Sequence, residues 1–229
     1  MKIRKINFKT KTDNHASIDL TRDGINPYLE YFIYGDFGSG KTSILKLIWE
    51  CWQANLFHGE KINLSLKKTD HCIVEACFND NQDFSFGFPS KTATKLILSN
   101  KVKHEETISN CILYYPSNRE GCIDEKFHEG HVLTNCAIPI ADLEDKTISN
   151  CCFLIDDICR GLDQSDSISY IREIIKVSKK NNNQIIMTID QKEMSYLNIT
   201  DRCHELEASD KANFISIMEL SNKINKARK

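Results

Sequence analysis

The sequence has little excess charge of either sign. Across 229 residues, 30 lysines and arginines stand against 32 aspartates and glutamates, a formal net charge of −2. A protein whose whole surface is a platform for nucleic acid would be strongly basic, so that class is excluded, while a local basic patch is not. Two such patches are visible: Lys2, Arg4, Lys5, Lys9 and Lys11 in the first strand-like segment, and Lys223, Lys226, Arg228 and Lys229 in a basic tail over 222–229. Their simplest reading is solvated charge on an edge strand and at a frayed end. No apolar run approaches the length needed to span a bilayer, and the opening residues lack the apolar stretch of a signal peptide. The expectation is a soluble, cytoplasmic protein with no direct membrane insertion.

The ten cysteines lack the short C-x-x-C hook of common zinc modules. Cys122, His128, His131 and Cys136 form the one cluster with a ligand-like look, and without the hook a metal site there is the weaker reading. Cys151 and Cys152 lie inside an apolar run and Cys72 and Cys77 flank another, positions that suit small core residues. The length fits one α/β domain over 1–229 and is short for two independent ones.

The run Gly35-Asp36-Phe37-Gly38-Ser39-Gly40-Lys41-Thr42 matches the phosphate-cradling P-loop pattern G-x-x-x-x-G-K-[ST]. Its context is the required one. Tyr31 to Tyr34 is aromatic and β-branched and reads as a buried strand, while Ser43 to Trp49 opens a helical pattern. Glycines let the backbone turn its N–H groups toward phosphate oxygens, and the helix N-terminus adds partial positive charge. Lys41 is expected to reach the terminal phosphates, and the hydroxyl of Thr42 to bind Mg²⁺, with Ser43 next along the chain. The bland alternative is a glycine-rich turn. A P-loop is a tool for intracellular nucleotide, where thiols stay reduced, so a disulfide framework is not expected.

A second segment supplies the acids that Mg·nucleotide chemistry needs. Cys151 to Ile155 is an apolar strand ending in Asp156 and Asp157. Asp156 is placed to hold the metal or its water shell. Asp157 is placed to orient or deprotonate the attacking water, provided its short side chain reaches. Two acids beginning a surface loop is the structural alternative.

From these acids onward the chain resembles the ABC ATPase superfamily. Asp156-Asp157-Ile158-Cys159-Arg160-Gly161-Leu162-Asp163 is similar to its Walker B to D-loop passage, with Asp163 on the D-loop aspartate. A helix from Ser167 to Lys180 then leads through Asn181-Asn182-Asn183 to a strand, Gln184 to Thr188. This resembles the strand before the family's switch histidine, whose position falls on Asp190. Before the P-loop come strand patterns at Lys2 to Phe8 and Ala16 to Leu20. After its helix come Cys72 to Phe78 and Phe84 to Phe88, separated by the turn Asn79-Asp80-Asn81. These resemble the antiparallel β-subdomain of ABC heads. The opening Met1 to Phe8, together with Gly38 to Leu45, looks most like the RecF, SMC and OLD-like branch.

The resemblance implies an α/β P-loop NTPase fold: a mainly parallel core sheet, an antiparallel β-subdomain and a reduced helical lobe over 118–150. It implies ATP and Mg²⁺ as cofactors. Gly35, Asp36, Phe37, Gly38, Ser39, Gly40, Lys41, Thr42, Ser43, Asp163 and Asp190 would meet the nucleotide. Thr42, Asp156 and Ser117 would meet the metal, and Lys41 and Asp157 would be catalytic. Ile112 to Ser117 resembles the strand entering the Q-loop, with Ser117 where the family carries glutamine. The family's Ser-Gly-rich signature is missing, and Glu129 to Thr134 is too dissimilar to stand in for it. No heptad run separates the two Walker motifs, which excludes an SMC arm. An aspartate at 190 cannot donate to a phosphate unless protonated. Arg119 has two readings, a phosphate or partner contact and the simpler one of a surface arginine paired with Glu120.

The reading that results is an ATP-binding switch subunit, weakly or conditionally hydrolytic, in a homo- or hetero-oligomer joined through the ATP face. DNA is a candidate partner, and DNA maintenance or bacterial defence the candidate process. The alternatives are a non-catalytic nucleotide-sensing scaffold, a transporter ATP-binding subunit, and an AAA+ helicase loader in which Thr188 stands as a sensor. Pro89 to Asn110, with its strand-like Ala93 to Leu98, carries no functional reading.

Overall fold

The computed structural model describes residues 1–9, 15–36, 38–56, 71–77, 83–88, 108–117, 140–197 and 203–205. The arrangement of the described residues is α/β. A five-stranded, wholly parallel sheet runs in the order β11-β3-β10-β9-β7, from Cys203–Glu205, Glu30–Gly35, Gln184–Asp190, Cys152–Ile155 and Ile112–Tyr115. A four-stranded antiparallel sheet has the order β2-β1-β4-β5, from His15–Asp19, Lys2–Lys9, His71–Cys77 and Asp83–Phe88. Two short strands, β6 (Ile108–Ser109) and β8 (Ile148–Ser149), pair in parallel beside them. The helices are α1 (Lys41–Leu56), α2 (Gln164–Lys180) and α3 (Gln191–Leu197).

The parallel sheet is apolar on both faces because helices or the second sheet cover both. Residues alternate between the two cores with period two. On β3, Tyr31 and Ile33 enter one core and Phe32 the other; on β9, Leu154 and Phe153 separate in the same way. The first core holds α1, through Ile44, Leu45, Ile48 and Trp52, together with the antiparallel sheet. The second holds α2, whose Ile171, Ile174 and Val177 form a stripe at helical spacing. Trp52 meets Phe86 edge-on at 5.3 Å between ring centroids, tying α1 to β5.

The first strand departs from the sequence reading. It is an inner strand, flanked by β2 and β4, and not an edge. Ile3 and Ile6 are both fully buried, although residues three apart point to opposite faces of a regular strand. The pairing with β4 shifts register between Ile3 and Lys5, and that one-residue irregularity brings both isoleucines inward. Two of the basic residues also find partners: Lys2 donates to Asn182 Oδ1 at 2.7 Å, and Arg4 pairs with Asp83.

One side chain joins the two sheets. Gln184, fully buried at the start of β10, accepts from the Ile3 N–H at 2.6 Å. It donates to the carbonyls of Ile3 and Tyr28 at 2.8 and 2.9 Å.

Several expectations lie outside the described residues: Phe78 and the turn at 79–81, the segment 89–107, Arg119 and Glu120, the Cys122, His128, His131 and Cys136 cluster, and the basic tail. Of the lobe at 118–150, the described part is a helical turn over residues 140–144, the strand β8 and their connections. Among the described residues no helix is long and apolar enough to cross a membrane, and no group of side chains could hold a metal through three or more histidines, cysteines or acids. Cys72, Cys77, Cys151 and Cys152 are buried, as core residues should be.

Candidate nucleotide site

The loop at 35–42 leaves the end of β3 and enters α1 directly. Gly38 and Gly40 have φ of 76° and 101°, the left-handed region in which a side chain would be strained. A Cβ built on Gly38 meets nothing within 4 Å, so the backbone angle and not crowding requires glycine there. The Ser39 N–H closes a turn onto Asp36 O at 3.1 Å, and the Ile44 N–H bonds Gly40 O at 3.1 Å, so the helix starts at Lys41. The leading N–H groups of a helix have no carbonyl one turn back to bond, which makes this end suited to an anion. Phe37 lies outside the described residues.

The strand order sets the rest of the site. β10 lies between β3 and β9, so the loop and the two acids are not on neighbouring strands, and the end of β10 is between them. Thr188, fully buried on β10, fills that gap. Its hydroxyl donates to Asp156 Oδ1 at 2.6 Å and accepts from the Asp157 N–H at 2.7 Å. Across from it, the Thr42 hydroxyl donates to the same Asp156 oxygen at 3.0 Å. The Asp156 N–H is anchored on Tyr115 O at 2.9 Å, and the Ile158 N–H on Thr188 O at 3.1 Å. Thus α1, β9 and β10 converge on one buried carboxylate.

Sequence reading gives Thr188 a role only as a sensor in one alternative; a hydroxyl among Ile185, Ile186, Met187 and Ile189 is the signal that it must have partners. Thr188→Val keeps the shape and leaves the Asp157 N–H unpaired. It is expected to cost about 1 to 3 kcal/mol of stability by urea denaturation, with Thr188→Ser retaining most of it. Equal midpoints for the valine variant and the parent protein would remove Thr188 from this role.

Asp157 has φ of 51°, a left-handed conformation that aspartate tolerates better than most residues. Burial chiefly, and then the charges of Asp190 and Asp156, raise its carboxyl above the ordinary pKa, with Arg160 and Lys41 opposing. A raised pKa suits a group that accepts a proton. Arg160 reaches across to donate to Ser117 O at 3.2 Å, holding the end of β7 near the acid turn.

Lys41 lies under the loop. Its ammonium contacts Gly35 O at 2.8 Å, Asp36 O at 3.0 Å and Asp190 Oδ1 at 2.9 Å. Asp190 is at the end of β10, in register with Gly35, and its N–H donates to Glu193 Oε2 of the first turn of α3 at 2.8 Å. The spacing Asp190-Gln191-Lys192-Glu193 is that of a capping box, of which the structure shows the half made by Glu193, while the Asp190 carboxylate turns to Lys41. Burial first, and then repulsion by Asp190 and Asp157, raise the Glu193 pKa, against the bond from the Asp190 N–H.

The predicted residues therefore divide. Gly35, Gly38, Gly40, Lys41, Thr42, Asp156, Asp157 and Asp190 are brought together. Asp163 is the N-cap of α2: its carboxylate accepts from the Asp166 N–H at 2.8 Å. Two features fit a hard divalent cation such as Mg²⁺: oxygen donors only, and a hydroxyl and a carboxylate already in contact.

No protein-family model and no curated protein sequence matches the chain. Among solved structures, it is similar to an SMC head domain from Thermotoga maritima, with 12% identity over 90% of this chain and 94% of that one, at a TM-score of 0.41. It is also similar to an SMC head bound to the C-terminal winged-helix domain of ScpA, with 10% identity over 86% and 92% of the chains, at a TM-score of 0.45. Both TM-scores are too low to define a shared fold.

Proposed function

We propose that the chain binds ATP with Mg²⁺ between the 35–42 loop and the Asp156-Asp157 turn, as a nucleotide-dependent switch subunit whose catalytic site is completed by another surface. The observation that carries the reading is the contact of Thr42 with Asp156 at 3.0 Å, which joins a glycine-bent loop at a helix start to a buried acid.

Thr42 and Asp156 would hold Mg²⁺, which neutralises charge on phosphate oxygens when bound. The loop backbone orients the phosphates, Lys41 opposes their charge, and Asp157 is the proton acceptor for an attacking water. Ser117 is short for direct contact and would act through water. The motifs around Asp163 and in the first strands resemble those of ABC-type heads in the RecF, SMC and OLD-like branch. In that arrangement a partner's Ser-Gly-rich segment closes the site, and residues 118–150 contain no such run. DNA maintenance or defence is suggested by that resemblance of motifs and not by the chemistry of the site.

The purified chain is expected to bind ATP in a Mg²⁺-dependent titration and to turn it over slowly. Fast steady-state hydrolysis by the chain alone would overturn the shared-site reading. A nucleotide-sensing scaffold is the second reading, favoured by the Lys41–Asp190 ion pair. Turnover that stays negligible with every added partner and DNA would select it.

A further inference from the structure

We propose that Asp190 is a built-in competitor for the terminal phosphate at Lys41, so that its carboxylate weakens polyphosphate binding instead of assisting it. The inference rests on the reading of 35–42 as a phosphate loop and reverses the role that the resemblance gives to residue 190.

An ammonium has three hydrogens to donate, and Lys41 has three acceptors: Gly35 O, Asp36 O and Asp190 Oδ1. A phosphate oxygen must share or displace one of them. The two carbonyls are neutral and belong to the loop itself. Asp190 alone carries negative charge, and it repels the incoming group as well as occupying the lysine. Its side chain is 38% exposed, against 11% for Lys41, so the carboxylate has the freedom to swing away.

Leaving carries its own electrostatic cost. The carboxyls of Asp157 and Glu193 both feel the charge of Asp190. Once Lys41 turns to a phosphate, Asp190 is left beside two acids without its counter-charge. Nucleotide binding therefore works against an ion pair that the free protein already has, and removing the carboxylate removes both the competition and the repulsion.

The test is calorimetric titration of the full chain with inorganic tripolyphosphate and with ATP at fixed Mg²⁺. Asp190→Asn keeps the backbone N–H that Glu193 accepts, keeps the side chain's size and removes the charge. It is expected to bind both ligands about threefold to tenfold tighter than the parent protein, the scale of a partly exposed charge pair with added repulsion. Asp190→Ala should change affinity in the same direction, and the gain should shrink as salt rises. Asp83→Asn, an equal charge change on β5, should leave affinity unchanged. Equal or weaker binding by Asp190→Asn, or an equal gain from Asp83→Asn, overturns the proposal. Absence of tripolyphosphate and ATP binding by the parent and by both Asp190 variants overturns the phosphate-loop reading itself, and this proposal with it.

Discussion

Lys41→Ala is expected to weaken ATP·Mg²⁺ binding about tenfold to a hundredfold, the effect of losing a charge-assisted hydrogen bond from a partly buried cation. Lys41 is the one cation in contact with both the loop carbonyls and the end of β10 among the described residues, and no neighbouring lysine or arginine on α1 is placed to replace it. The loss is smaller than an unopposed ammonium would give, because part of its interaction with phosphate substitutes for the existing contact with Asp190. Isothermal titration at saturating Mg²⁺ measures it directly. Unchanged affinity would dismiss the assignment of 35–42 as a phosphate loop. The opposite signs expected for Lys41→Ala and Asp190→Asn are a stronger test than either alone, since general loosening of the site would weaken binding in both.

Gln184→Leu should be strongly damaging at a position away from the candidate nucleotide site. The substitution preserves approximate volume in a fully buried position and deletes three hydrogen bonds. It strands the Ile3 N–H and leaves the carbonyls of Ile3 and Tyr28 each short of a donor. An unsatisfied buried polar group costs about 1 to 3 kcal/mol, and carbonyls often recover a partner, so a total of about 3 to 5 kcal/mol is expected. Urea unfolding should show the midpoint falling far more than for Asn7→Ala, whose side-chain amide makes an exposed bond to Glu75 at 2.9 Å. If the two variants unfold alike, Gln184 does not clamp the sheets together.

Much of this site is legible in the sequence because its signals are local. A glycine-bent loop between an aromatic strand and an apolar helix, and an apolar strand ending in two acids, are patterns within a dozen residues. The hidden part depends on contacts across the chain. Thr188 and Asp156 are 32 residues apart and Lys41 and Asp190 far more widely separated, and no spacing rule reports such pairs. A motif places Asp163 toward nucleotide, and its local geometry also makes it a helix cap, a role that Asp-x-x-Asp ahead of an apolar stripe announces. The inner position of β1 escapes sequence reading because its lysines look like edge charges. The irregularity that buries Ile3 and Ile6 together defeats a period-two pattern. The helix α2 begins at Gln164, three residues earlier than its apolar stripe suggests, since caps and not hydrophobic spacing decide where helices start.

The placement of β3 has a consequence for how the molecule is made. Both of its hydrogen-bonded neighbours, β10 and β11, come from the stretch 184–205, about 150 residues further along the chain. During synthesis from the N-terminus, the strand that leads into the 35–42 loop has no strand to pair with until about 150 further residues have been translated. Closing so long a loop is slow relative to forming local hairpins such as β4-β5. The antiparallel sheet can assemble first on the growing chain, whereas the candidate nucleotide cradle is complete only once β10 lies between β3 and β9 and brings Thr188 and Asp190 to their partners.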